Sequence, residues 1–238
     1  MNIALVGYGK MGKAIERIAQ SRGHNILFRI DSQNRALLQS PEFSGADVVI
    51  EFTGPAAARE NVVSCLEKGL PVVSGSTGWN DALPEAEAKC TEKGAAFLHS
   101  SNFSVGVQLF FLLNQKLAQL MASHPEYRLS LSETHHTEKK DAPSGTAVTL
   151  ASGILKENTT FQNWHLGTEE KPGSIPIEAL RIAGVPGTHA VRYDSPIDTL
   201  EITHTAHSRD GFALGAVLAA EFLAGKKGVF SMQDVLNG

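Results

Sequence analysis

The stretch IALVGYGKMGKAIERIA, residues 3–19, decides the fold. Ile3, Ala4, Leu5 and Val6 are apolar without alternation, as in a strand covered on both faces. Gly7, Gly9 and Gly12 follow in G-x-G-x-x-G spacing, and a helical pattern begins inside the motif. The first glycine permits the tight turn, the second lets backbone approach a pyrophosphate, and the third lets helix pack on strand. The helix start presents unpaired N–H groups to the anion. Asp31 ends the next apolar run, where an acceptor for a ribose hydroxyl belongs. Gly7, Tyr8, Gly9, Lys10, Met11, Gly12 and Asp31 are therefore the expected dinucleotide contacts.

Outward from that motif the first hundred residues keep one rhythm. Apolar runs at 3–6, 26–30, 48–52, 71–73 and 95–98 alternate with helical patterns near 10–22, 56–68 and 81–92. Only the interval after Asp31 lacks a convincing helix. The pattern predicts a Rossmann-type, doubly wound parallel sheet of the α/β class. SGSTGW (74–79) follows the fourth predicted strand and SSNFSVGV (100–107) the fifth, both at the strand ends where open α/β sheets bind ligands. Gly75, Ser76, Thr77, Ser101, Asn102, Phe103 and Ser104 join the expected cofactor contacts, while Trp79 is read as bordering the cofactor or packing in the core.

The pattern changes with VGVQLFFLLNQKLAQLMA (105–122), which reads as a buried helix. YRLSLSE (127–133) alternates polar and apolar residues as a half-buried strand does, 145–158 reads as a helix, and strands are expected at 177–182, 188–193 and 199–205. The polar stretch 158–174 reads as the one long loop, and 211–225 as a final helix packing on the first domain. These elements predict a second, α+β domain with an open mixed sheet at 107–210, and a dinucleotide domain made of 1–106 and 211–238. A sheet with one uncovered face invites oligomerisation.

Composition narrows the function. A net charge of −4 gives no general attraction to nucleic acid, so a small molecule is the expected partner. Cys65 and Cys90 are the only cysteines, form no CxxC pair and lie in helical patterns, so neither a disulfide framework nor structural zinc is expected. His204 and His207 are three apart in a strand pattern and face opposite ways, which suits no single metal; no metal is expected. The 105–122 segment is interrupted by Gln108, Asn114, Gln115 and Lys116, well short of a bilayer span, and the N-terminus has no signal-peptide pattern. A soluble, cytoplasmic protein is expected.

ETHHTEKKDAPSGTA, residues 133–147, carries the chemistry. Two histidines and a run of charged side chains gain nothing from an apolar neighbour and lose hydration when buried. Ser144 is a natural N-cap for a helix whose first N–H groups would receive a carboxylate. Lys139 offers positive charge or a proton, and a histidine offers acid and base chemistry near neutral pH.

This segment resembles the E-x-H-H-x-x-K-x-D-x-P-S-G-T-A motif of the 4-hydroxy-tetrahydrodipicolinate (dihydrodipicolinate) reductases of lysine and diaminopimelate biosynthesis. GYGKMG, IEFTGP, SGSTGW, SNFSVGV, LEITHTAHSRDGFALGA and GVFSMQDVL fall in the order expected of that family. The resemblance implies reduction of a cyclic imine dicarboxylate, with NADH or NADPH in the first domain supplying hydride, and a homotetramer joined through the central sheets. It implies His135 as proton donor or acceptor, Lys139 as a second proton donor, and His136, Gly145 and Thr146 as holders of the dicarboxylate. Family members often carry Glu-Arg after the second strand and a glycine loop one residue longer. Asp31-Ser32 here favours NADH within a dual use, although Arg35 leaves a cation near a 2′-phosphate. The rival readings are another two-domain dehydrogenase of amino-acid metabolism and a non-catalytic nicotinamide-nucleotide sensor. The first, in its thioester-forming version, lacks a loop cysteine, and the second has no use for the histidine and lysine segment.

Overall fold

The computed structural model describes residues Met1–Gly238, which divide into two compact units: Met1–Val105 with Arg209–Gly238, and Gly106–Ser208. In the first unit β1 (Asn2–Val6), β2 (Asn25–Ile30), β3 (Val48–Glu51), β4 (Val72–Ser74), β5 (Ala96–His99) and β11 (Gly228–Phe230) form one sheet in the order β11-β5-β4-β3-β1-β2. Every pairing in it is parallel, with Leu5 opposite Arg29 on one side and Ile50 on the other.

Successive side chains of a strand point to opposite faces, and both faces here are covered. Ile3, Leu5, Ile50, Val73 and Leu98 pack against Ile15 and Ala19 of α1 (Lys10–Ser21) and Val217 of α6 (Asp210–Leu223). Ala4, Val6, Val49, Val72 and Phe97 pack against α2 (Pro55–Glu67) and α3 (Leu83–Lys93). That double burial is why the strands read as unbroken apolar runs. The stretch between β2 and β3 forms two 3₁₀ turns, Arg35–Gln39 and Pro41–Gly45, which put only Leu38 and Phe43 into the core. Trp79 is core as well: it is buried, edge-on to Phe97, with its indole N–H donating to the Ser76 carbonyl at 2.8 Å.

The chain's return is fixed at close range. A Cβ on Gly215 of α6 would lie 1.7 Å from the carbonyl oxygen of Phe103, so no larger residue fits this crossing. Glu221, further along α6, accepts two bonds from the Arg22 guanidinium at 2.8 Å each and lies 2.7 Å from His24 Nε2. The chain then adds β11 to the sheet edge and ends in α7 (Met232–Asn237), capped reciprocally by Ser231 and Asp234. This S-x-x-D box was legible in the sequence and is absent from the expected elements.

In the second unit β6 (Arg128–His135), β7 (Asn163–Leu166), β8 (Ser174–Arg181), β9 (Gly187–Asp194) and β10 (Thr199–Ala206) form a mixed sheet in the order β10-β9-β6-β8-β7. Leu129, Leu131, Ile175, Ile177, Val191 and Tyr193 bury one face beneath α4 (Val105–Met121) and α5 (Gly145–Glu157). The other face carries Ser130, Ser132, Thr134, Glu178, Arg192 and Thr203, none of them buried. Three expectations need correction. The 158–174 stretch is no continuous loop, because β7 pairs with β8 inside it; its four residues are too few to show a period. The α4 helix is buried on one face only, and Leu109, Leu113 and Leu120 are more than half exposed. The strand expected to end at 133 runs on to His135, since Thr134 and His135 keep pairing with Leu180 and Arg181.

Gly215→Ala is expected to lower unfolding free energy by about 3 kcal/mol, at the upper end for overpacking because the obstructing atom is backbone; urea denaturation followed by circular dichroism measures it.

Candidate active site

The glycine turn sits at the carboxyl ends of β1, β2 and β3. The strand order reverses between β1 and β3, the place where open α/β sheets hold ligands. Gly7 has φ +100°, and a Cβ there would lie 2.1 Å from the Phe52 carbonyl oxygen; one on Gly12 would lie 2.4 Å from that of Gly7. Gly9 differs, because a Cβ there would meet nothing within 4 Å. It is the N-cap of α1 and brings no side-chain cap to the helix start. A cavity of about 560 Å³ opens over this turn, lined by Gly7, Tyr8, Gly9, Asp31, Ser32, Arg35 and Thr53 among others. Open space over bare helix N–H groups, with an acidic residue beside it, fits a dinucleotide.

A buried carboxylate organises the rest of this edge. Glu51, 1% exposed at the end of β3, accepts from Ser74 Oγ at 2.6 Å, Ser76 Oγ at 2.8 Å and Thr53 N at 2.9 Å, and also from Thr53 Oγ1. It thereby ties the loops after β3 and β4 together. The expected cofactor residues divide around it. Gly9, Lys10, Asp31, Thr77 and Ser101 are exposed, and Tyr8, Met11, Gly75 and Asn102 are half-buried. Ser76, Phe103 and Ser104 are buried, Phe103 with its ring 5.6 Å from that of Phe52. Gly75 is obligatory for packing, since a Cβ there would lie 2.1 Å from the Phe52 ring. Tyr8 donates to Glu16, and Asp31 Oδ1 accepts from Gln33 N at 2.8 Å. Arg35 pairs with Glu60 at 2.8 Å and donates to Asn61 at 3.1 Å.

The second unit buries its own carboxylate, Glu133, under the start of the histidine segment. Its Oε1 accepts from Ser144 N and from Arg181 Nη2, both at 3.0 Å. Its Oε2 lies 2.9 Å from Nδ1 of His135 and 3.7 Å from Nε2 of His189. The His135 approach is oblique, and neither that Nδ1 nor Oε2 has a better-aligned partner. The His135 and His189 rings meet edge to face, centroids 4.9 Å apart, and His189 Nε2 lies 3.0 Å from Ser144 Oγ. Arg181 also donates to the Lys139 carbonyl at 3.3 Å and the Asp141 carbonyl at 2.5 Å, which holds the 136–144 segment against the sheet. Lys139 Nζ is 2.9 Å from Asp141 Oδ2. Ser144 caps α5 by accepting from Ala147 N at 3.2 Å, and Gly145 beside it is exposed. Thr146 and His136 are half-buried.

Burial by itself would raise the Glu133 carboxyl, but the contacts of His135, Ser144 and Arg181 outweigh it and hold it at about 2. Burial pushes the His189 imidazole down to about 4, with the His135 ring adding to the effect. The donor atoms of Glu133, His135 and His189 lie within 4.8 Å of one another, a spacing a metal could use. The Arg181 guanidinium on the same carboxylate supplies a fixed positive charge that a cation would have to displace.

Glu133, Arg181 and His189 were not assigned from sequence. They meet through register: His189 is the cross-strand partner of Glu133 on β9, and Arg181 that of His135 on β8. The only one-dimensional trace of this is a polar residue on the apolar face of each strand.

A parallel sheet with a dinucleotide turn in one unit, and a buried imidazole–carboxylate cluster under a basic segment in the other, define an oxidoreductase that uses a nicotinamide dinucleotide. The family descriptions "Dihydrodipicolinate reductase, N-terminus" and "Dihydrodipicolinate reductase, C-terminus" match residues 1–103 and 106–236. The chain belongs to the dihydrodipicolinate reductase family. A Christiangramia forsetii protein named 4-hydroxy-tetrahydrodipicolinate reductase is 50% identical over 239 residues, 100% of this chain and 98% of that one. One of the same name from Anaeromyxobacter sp. is 40% identical over 204 residues, 82% of this chain and 74% of the relative. In fold, the chain is similar to a dipicolinate-bound dihydrodipicolinate reductase from Paenisporosarcina sp. TG-14, with TM-score 0.77 and 21% identity over 97% of each chain. No helix is long and apolar enough to cross a membrane.

The buried pair makes the second unit acid-labile in a defined window. His189 protonates near 6.5 when unfolded and about 4 when folded, so its contribution is intact above 6.5 and is lost as pH falls toward 4. Glu133 protonates near 4.5 unfolded and about 2 folded, so its contribution is intact above 4.5 and is lost as pH falls toward 2. Each shift corresponds to about 3 kcal/mol. Urea unfolding at pH 7, 5 and 4 is expected to show stability falling across that range, with His189→Asn flattening its upper part.

Proposed function

We propose that this chain reduces 4-hydroxy-tetrahydrodipicolinate to tetrahydrodipicolinate, with His135 and Lys139 as the proton-transfer groups and His136, Gly145 and Thr146 holding the two carboxylates. The observation that carries this reading is the placement of His135 on the buried Glu133, in one segment with Lys139 and the capped start of α5. A dianionic ring needs positive charge and oriented N–H groups on its carboxylates, and the reaction needs a proton beside the hydride. Bound NADH or NADPH supplies that hydride. Lys139 offers positive charge or a proton, and Arg181 fixes the backbone around it through the carbonyls of Lys139 and Asp141. Ser144 caps α5 through Ala147 N, and Gly145 leaves the first turn uncovered, since a Cβ there would meet nothing within 4 Å. Orientation by these groups accounts for much of the rate.

The cofactor is held at the glycine turn by Gly7 to Gly12 with Asp31, and at the loops containing Gly75 to Thr77 and Ser101 to Ser104. Either nicotinamide dinucleotide binds, NADH being preferred. Asp31 stands exposed where a ribose 2′-hydroxyl belongs, and Arg35, the cation nearest in sequence, is engaged by Glu60 and Asn61. The enzyme works in the cytoplasm as a homotetramer, joined through the polar, uncovered face of the mixed sheet.

Two experiments test this. His135→Gln and Lys139→Ala are each expected to lower kcat at least ~100-fold in a spectrophotometric assay of NADH oxidation with the cyclic imine, the scale typical of lost acid–base catalysis; near wild-type kcat in both defeats the assignment. Glu60→Gln, which releases Arg35, is expected to lower the NADPH KM severalfold and leave the NADH KM within about twofold. A wild-type NADPH KM tenfold below that for NADH contradicts the stated preference.

A further inference from the structure

We infer that Glu133 is the positioning residue that sets the tautomer of His135, making Nε2 the working nitrogen, and that Arg181 and Ser144 orient Glu133 for that task. The inference rests on the proton-transfer role proposed for His135. The two oxygens of Glu133 have separate duties. Oε1 receives two donors, Ser144 N and Arg181 Nη2, each at 3.0 Å. Neither donor can act as an acceptor, so whatever atom occupies that position must be an acceptor. Oε2 lies 2.9 Å from Nδ1 of His135, too obliquely for a formed hydrogen bond, but neither atom has another hydrogen-bond partner and a carboxylate only accepts, so the proton is assigned to this nitrogen. The lone pair, or the transferable proton of the imidazolium, is then on Nε2.

Glycine at position 187 keeps a side chain off the Nε2 edge of the ring. A Cβ on Gly187, at the start of β9, would lie 3.0 Å from Nε2 and 3.2 Å from Cδ2 of the same ring, so a side chain here would press on that edge of the imidazole. In the proposed step the imidazolium gives its Nε2 proton to the substrate and is left as the neutral Nδ1–H form, with Nδ1 still facing Glu133. A water proton restores the imidazolium, and the carboxylate opposite Nδ1 balances the charge in both states. His189 contributes a second ring against His135 but no competing charge, because burial keeps its pKa low and the ring neutral at working pH.

Glu133→Gln discriminates, because its amide has one acceptor and one donor. The acceptor must go to the position facing Ser144 N and Arg181, which leaves the NH₂ group facing Nδ1 of His135. That nitrogen must then accept, and the proton moves to Nε2. The expected result is a kcat at least ~100-fold lower, the KM for the cyclic imine and the Kd for NADH each within about threefold, and an unchanged circular dichroism spectrum. Long-range ¹H–¹⁵N spectra of histidine-labelled protein at pH 8 are expected to show the Nδ1–H form of His135 in the wild type and the Nε2–H form in Glu133→Gln. Glu133→Asp, which keeps an acceptor on both oxygens, is expected to retain the wild-type tautomer and to recover part of kcat.

An Nε2–H tautomer in the wild type overturns the inference even if the glutamine variant does not fold. So does a Glu133→Gln enzyme with kcat within threefold of wild type while His135→Gln is inactive. If His135→Gln is itself active, the proton-transfer role falls and the tautomer measurement still decides whether Glu133 orients the ring.

Discussion

A carboxylate taken out of water needs donors, and each unit of this protein gathers them around one such group, Glu133 through Oε1 while its Oε2 has only the oblique approach of His135 Nδ1. Glu51 and Glu133 are exposed by 1% and 0% respectively. Each closes or nearly closes a central strand of its sheet, Glu51 as the last residue of β3 and Glu133 two residues before the end of β6. A buried charge at that place forces the following loops to bend back and present donors. Thr53 and Ser76 do so around Glu51; Ser144 and Arg181 do so around Glu133. The loops that hold the expected ligand residues are thus positioned by what they give to a carboxylate beneath them.

The two solutions differ in the donors they use. Glu51 is met by hydroxyls and a backbone N–H, all neutral, so no cation is drawn to the edge of the parallel sheet by that group. Glu133 is satisfied in part by a guanidinium, and Lys139 stands nearby on a segment that the same guanidinium anchors. Each of these cations is matched by a carboxylate, Arg181 by Glu133 and Lys139 by Asp141. Arg181 therefore acts twice, keeping Glu133 ionised and shaping the loop that carries Lys139.

What was legible in the sequence was whatever is local along the chain. The glycine turn, the unbroken strands and the helical patterns each fit within a few residues, and the elements they predict are present in the parallel sheet. The histidine segment was legible as chemistry because its residue types have no packing use. The network beneath it was not, because Glu133, His189 and Arg181 are 56 and 48 residues apart at most and join only through the pairing of β6 with β9 and β8. The short elements β7 and β11 were missed for a related reason: four and three residues do not establish a period, and their stability comes from the strand beside them. The exposed leucines of α4 misled in the opposite way, since composition marked the helix as buried while spacing put Leu109, Leu113 and Leu120 on a face of their own.

The glycines at the helix starts and crossings fall into two groups, packed and open. At Gly7, Gly12, Gly75 and Gly215 the chain itself fills the place a Cβ would take, at distances between 1.7 and 2.4 Å, so packing within the protein accounts for the choice of residue. At Gly9 and Gly145 nothing lies within 4 Å, and neither has a positive φ. Glycine at a helix start costs backbone entropy on folding and brings no side-chain cap. Neither packing nor conformation demands glycine at these two positions, and the same holds at Gly54, the N-cap of α2. Under the proposed function, the open start of α1 at Gly9 receives a diphosphate and that of α5 at Gly145 a carboxylate.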